Sequence, residues 1–280
     1  MGMMAYISGM CIALPLILLP PITLYKCRLI TTIQREKISL KAGQFCSRWL
    51  MRLIPFAKIK VINPSRKPTK DPSVWVCNHM SMLDVFFLLA VKNRLSARPT
   101  KIVYWKGLES NPVTRILFKA CGFIPVDMAD NGHGSANEYD KGSFKALLKG
   151  AKKAFEEGFD LGILPEGQLN PHPENGLSPV FTGAYTLAKL SKRPIRMMAL
   201  HGTNHLWHPN EVRGMKCSGR TVTIRMYPEP LKFDNATHFS DTFSKIVGYF
   251  GAKGEDLPEV ELQTVLDEAS FKRRNESELA

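Results

Sequence analysis

The chain has 280 residues, enough for one sizeable α/β domain with a short appendage. With 44% hydrophobic and 22% charged residues it is globular rather than disordered, and a net charge of +13 asks for nucleic acid, anionic lipid or a phosphorylated cofactor as partner. It carries no RNA-binding signature, no C-x2-C pair and no heptad repeat, which argues against nucleic-acid binding, a zinc module and a coiled coil.

Residues 1–25 hold no charged side chain, and Met4 to Tyr25 is apolar almost throughout. About 20 such residues can cross a bilayer. No basic n-region is present, so a cleaved signal peptide is not expected. Pro15, Pro20 and Pro21 predict a kinked span or a re-entrant segment; a buried core helix is the other reading. Lys26 to Lys60 then carries nine Lys or Arg against one acid, Glu36, an asymmetry that keeps this flank cytosolic. Phe45, Trp49, Leu50, Leu53, Ile54 and Phe56 alternate with Arg48, Arg52 and Lys58, as in a helix lying in the membrane interface or one packed on the main domain. Residues 1–62 are therefore read as a membrane anchor with an amphipathic basic helix. Six cysteines without paired spacing predict reduced, buried thiols.

A Pro- and Lys-rich connector, 63–72, leads into a main domain over 70–230. Val74 to Cys77 reads as its first strand. A helix from about Met82 to Lys92, a strand over Lys101–Trp105, a helix over 111–121 ended by Gly122, and a short strand over 123–126 follow. A polar loop spans 130–142. Ser143 to Phe159 carries an apolar stripe of helical period, and Asp160–Leu164 reads as a buried strand. Ser178-Pro179 has the signature of a helix start, running to Lys192. Ile195–Leu200 and Thr221–Tyr227 are further strands. Alternating strands and helices predict an α/β fold with a mixed, mainly parallel sheet flanked by helices and an N-terminal membrane-associated helical segment. Residues 231–280 are read as a tail with surface helices over 239–250 and 257–272.

The chemistry gathers at the first strand-to-helix turn, Cys77-Asn78-His79-Met80-Ser81-Met82-Leu83-Asp84. Residues five apart on one helix point about 140° from each other. His79 and Asp84 can therefore meet only if His79 lies in the turn and Asp84 in the first turn of the helix. Ser81 then fits the N-cap, with Asp84 closing a capping box. A carboxylate there could equally serve the helix dipole alone.

Asn78-His79-x-Ser81-x-x-Asp84 resembles the NHxSxxD block of the glycerolipid acyltransferase family, which includes the lysophosphatidate acyltransferases. Leu164-Pro165-Glu166-Gly167 is similar to the family's F-P-E-G block and follows in the expected order. The resemblance implies an acyl-CoA-dependent O-acyltransferase, with acyl-CoA as co-substrate and no cofactor. It makes His79 the general base, with Asp84 fixing its tautomer. Glu166 would organise the acceptor site, and Gly167 would allow a tight turn. The membrane would be the endoplasmic reticulum, with the catalytic domain facing the cytosol. The expected acceptor is the sn-2 hydroxyl of lysophosphatidate, presented at an anionic membrane surface.

Two basic residues of the family pattern are absent. Met128 follows Gly122–Asp127, and Gln168-Leu169 follows Gly167. Lys106 is the first candidate for the acceptor phosphate, with Arg193, Arg196 and His201 behind it. Another lysophospholipid, glycerol phosphate, or a catalytically silent lipid-binding protein are the alternatives. His201, His205 and His208 lie in a Gly- and Pro-containing stretch without nearby Cys or Asp, so no metal site is expected.

Overall fold

The computed structural model describes residues 2–54, 57–65, 67–127, 141–211 and 220–270. The loop expected over 130–142 and the position of Met128 lie largely outside them. The strands are β1 (Ala57–Ile62), β2 (Val74–Val76), β3 (Thr100–Trp105), β4 (Ile124–Val126), β5 (Asp160–Ile163), β6 (Ile195–His201) and β7 (Arg220–Leu231). They form one seven-stranded sheet in the order β1-β7-β6-β2-β5-β3-β4. Only β6 and β7 run antiparallel; every other neighbouring pair is parallel. The fold class is thus the mixed, mainly parallel sheet that alternating elements imply.

The helices are α1 (Gly2–Lys26), α2 (Thr32–Met51), α3 (Asp84–Leu95), α4 (Pro112–Cys121), α5 (Lys141–Glu156), α6 (Gly183–Ser191), α7 (Thr203–Leu206), α8 (Ala236–Phe243), α9 (Tyr249–Lys253) and α10 (Glu259–Glu268). β2 is central, and Val74, Trp75 and Val76 are all buried, as a parallel strand covered on both faces requires. β2, β3, β5 and β6 all end at one edge of the sheet, where ligands collect in open α/β folds.

α1 and α2 pack on each other and on α4. Thr31 and Gln34 close a reciprocal capping box at the start of α2. Leu14 and Leu18 of α1 face inward, whereas Ile12, Leu16 and Leu19 are exposed, as are Phe45 and Trp49 of α2. Residues 8–26 are long and apolar enough to cross a bilayer. The buried Glu36 of α2 pairs with Lys101 of β3 at 2.7 Å, and Glu157 lies 3.4 Å from the same ammonium, which also sits over the Phe159 ring. Phe56 lies outside the described residues, and Lys58 belongs to β1 rather than to an interfacial helix.

Three further expectations need correction. The helix expected from Ser178 begins only at Gly183. Ser178 and Phe181 instead give their N–H groups to Glu166 and to the Pro165 carbonyl, so this stretch straps the preceding turn. The C-terminal helices are not superficial: α8, a π-helical turn over Ser244–Gly248, and α9 form one continuous rod. It buries Phe239, Phe243, Ile246, Val247 and Phe250. Cys46, Cys77 and Cys121 are buried thiols, but Cys11 and Cys27 are exposed.

Candidate active site

β2 ends at Val76, and the next eight residues make the turn that carries the chemistry. Asn78 is 1% exposed, and its side chain bonds to both backbone groups of Leu200 in β6. Nδ2 donates to the Leu200 carbonyl at 2.9 Å, and the Leu200 N–H donates to Oδ1 at 2.7 Å. The carboxamide thus continues the β2–β6 pairing after the main chain has left the sheet.

His79 follows. Its N–H donates to Glu166 Oε1 at 2.6 Å, and its carbonyl accepts the Asn170 N–H at 3.0 Å. With both backbone groups held, the ring is aimed. Nδ1 lies 2.9 Å from Asp84 Oδ2, and the imidazole is 20% exposed over a fully buried carboxylate. The same Oδ2 accepts the N–H of Met80 at 2.7 Å and of Ser81 at 2.8 Å. Asp84 therefore shapes the turn and fixes the ring together. Because Oδ2 is an acceptor, Nδ1 carries the proton and Nε2 keeps its lone pair. Among the described residues Nε2 has no hydrogen-bond partner.

Ser81 is not the formal N-cap. α3 begins at Asp84, with Leu83 in the cap position and no side-chain cap bond. The Ser81 hydroxyl accepts the Leu83 N–H at 3.2 Å and donates to the Trp207 carbonyl at 2.9 Å. It pins the turn to the segment after α7.

Glu166 is held by main chain on both sides. Its carboxylate is 1% exposed, and both oxygens are taken by main chain: Oε1 by His79 and Oε2 by Ser178, at 2.8 Å. It clamps the histidine turn to the strap after β5. Burial pushes its carboxyl up to about 7, against the two N–H donors and the His79 ring, which pull it down. Gly167 has φ +67, and its N–H closes a turn onto the Leu164 carbonyl. The buried Cys77 thiol is pushed well above its ordinary value, first by desolvation and then by Asp84 and Glu166. It stays protonated and is no nucleophile.

The candidate cations are dispersed. Lys106 lies just past β3, at the His79 edge of the sheet; it is exposed and 3.4 Å from Asp127 Oδ2. Arg193 and Arg196 are not brought to the site, because they sit at the opposite edge, where β6 begins. Arg193 joins Arg98 and the Trp75 indole around the buried Asp160. Arg196 bonds Ser73 and Asp71. His201 Nδ1 is 2.8 Å from the Gly251 carbonyl, whereas His208 Nε2 pairs with Glu174. The partners Leu200, Asn170 and Trp207 carry no sequence signal, since each meets the turn across a long span of chain. Asn78 stands inside the motif, but only the sheet shows what its amide does.

The family model described as Acyltransferase matches residues 58–200. A 155-residue stretch, 55% of this chain, is 25% identical to the chloroplastic 1-acyl-sn-glycerol-3-phosphate acyltransferase BAT2 of Brassica napus. The chain spans 40% of that protein's length. The crystal structure of the 1-acyl-sn-glycerophosphate acyltransferase PlsC from Thermotoga maritima matches with a TM-score of 0.60 at 14% identity, over 89% of this chain and 95% of that one. At that identity the likeness is one of fold.

Proposed function

Since this chain belongs to the acyltransferase family, we propose that it moves an acyl group from acyl-CoA to the sn-2 hydroxyl of lysophosphatidate at a membrane surface. The observation that carries this reading is the imidazole of His79, 20% exposed and held through Nδ1 by a buried carboxylate, which leaves Nε2 to accept a proton.

The acceptor hydroxyl attacks the thioester carbonyl carbon while its proton passes to His79 Nε2. Asp84 steadies the imidazolium that results. The tetrahedral intermediate collapses, the C–S bond breaks, and the imidazolium returns its proton to the CoA sulfur. Atoms and protons balance with ester and free CoA as products. Glu166 acts as a positioning residue through the His79 backbone. Lys106 is the proposed partner of the acceptor phosphate and would exchange Asp127 for it. The exposed face of α1 rests in lipid, and the catalytic domain faces the cytosol, with the endoplasmic reticulum as the membrane.

A second reading draws on Leu169, an uncharged residue where the family pattern places arginine. It favours another lysophospholipid as acceptor. Labelled acyl-CoA offered with lysophosphatidate, lysophosphatidylcholine, lysophosphatidylethanolamine and glycerol 3-phosphate separates the two. The first reading expects the highest kcat/KM for lysophosphatidate. Preference for a lysophospholipid with a larger headgroup gives the second, and no transfer to any acceptor defeats both.

A further inference from the structure

The family match ends at residue 200, yet the catalytic turn is contacted from beyond it. Gly251 of α9 lies directly against the Asn78 carboxamide. A Cβ built at Gly251 would stand 2.8 Å from Asn78 Nδ2 and 3.5 Å from the Leu200 carbonyl oxygen. The Gly251 carbonyl in turn accepts a hydrogen bond from His201 Nδ1 at 2.8 Å, one residue after Leu200. These contacts close a ring: Asn78 holds Leu200, the chain steps to His201, His201 holds Gly251, and Gly251 backs Asn78.

We propose that Gly251 is a positioning residue for the acyl transfer, holding His79 in register by fixing the side chain of the residue before it. The inference rests on the general-base reading of His79. Asn78 cannot yield to a methyl group at 251 without leaving Leu200, because its amide nitrogen and oxygen are both committed there. Leaving Leu200 frees the turn on its β6 side, while Glu166, Asn170 and Asp84 still hold the other sides. The outcome is a displaced imidazole in a folded protein. Shifts of about 1 Å at a reacting group cost up to roughly a hundredfold in rate. The small cavity bounded by Asn78, Glu166, Asn170, Gly248 and Gly251 gives the amide somewhere to go.

The test uses the full chain in detergent with Gly251→Ala, Asn78→Ser and the double variant. For Gly251→Ala we expect kcat lowered roughly tenfold or more, KM little changed, and an altered pH profile of kcat/KM. Shortening Asn78 to serine removes the collision, so the double variant should match Asn78→Ser alone. A kcat for Gly251→Ala equal to the parent's overturns the proposal, as do multiplicative losses in the double variant. Should Gly251→Ala fail to fold, the double variant carries the test alone: failure to recover folding and the Asn78→Ser rate overturns the proposal. Histidine NMR, with the His79 signal assigned by His79→Gln, provides a substrate-free reading. A changed His79 titration in Gly251→Ala supports the coupling, and an unchanged one overturns it, even if the parent protein acylates none of the acceptors and the functional reading fails.

Discussion

Glu166 meets His79 through the main chain: its carboxylate accepts the histidine N–H at 2.6 Å, while the ring turns away toward Asp84. Two carboxylates therefore divide the work on one residue. One fixes where the backbone stands, and the other fixes which ring nitrogen bears the proton.

This division separates the two members of the dyad. His79→Ala should lower kcat by roughly a hundredfold or more, the low end for a general base. Its melting temperature should fall less than that of Asp84→Ala, because Asp84 Oδ2 keeps the Met80 and Ser81 N–H groups when the ring is lost. Asp84→Ala also strips the acceptor from the Met80 and Ser81 N–H groups. That should cost about 3 kcal/mol in addition to activity. Kinetics and thermal unfolding of both variants check the contrast; equal destabilisation contradicts it.

Glu166 sets a pH dependence of stability. Its carboxyl is raised from 4.5 to about 7 by burial, so between those values the folded protein binds the proton more tightly than the unfolded chain. The contribution is full below pH 4.5 and is lost as pH climbs through 7, an amount of about 3 kcal/mol. Glu166→Gln removes the titrating group. Denaturant unfolding at pH 5 and pH 8 should therefore show a smaller loss across that interval in the variant than in the parent. Parallel losses would exclude Glu166 as the source.

Asn78→Ala leaves the Leu200 N–H and carbonyl without their buried partners. We expect about 2 kcal/mol of destabilisation and a lower kcat, since the turn loses its tie to β6. Urea unfolding and initial rates give both numbers. Unchanged stability would mean that the ladder closes without the side chain.

The two faces of α1 should respond oppositely. Ile12, Leu16 and Leu19 are 62%, 60% and 51% exposed, and their joint replacement by serine should weaken sedimentation with anionic liposomes at least roughly tenfold. The melting temperature in detergent should hold. Serine at the buried Leu14 and Leu18 should instead lower stability. Retained liposome binding in the first variant would remove α1 from the membrane contact.

Much of this was readable from local pattern. Val74–Val76 announces a central strand, and the five-residue gap from His79 to Asp84 admits contact only across a turn. Positions 31 and 34 spell out a capping box that the basic and apolar alternation around them obscured. β1 was missed because Lys58 and Lys60 lie on an edge strand with one face to solvent, and charge there mimics an amphipathic helix. The helix expected at Ser178 failed because Phe181, whose N–H a Ser178 cap would have accepted, gives it to the Pro165 carbonyl. The roles of Asn78, Gly251 and Glu166 depend on contacts across long stretches of chain, and no window of sequence contains both partners.

The pairing of Lys101 with Glu36 and Glu157 bears on whether the N-terminal helices can come away from the rest of the molecule. Peeling α2 off would carry Glu36 away and leave the buried Lys101 ammonium with only the longer Glu157 contact, and breaking such a buried pair typically costs about 3–5 kcal/mol. The helix pair is accordingly riveted to β3 and travels with it, so any load placed on α1 and α2 passes straight to the sheet that carries the histidine.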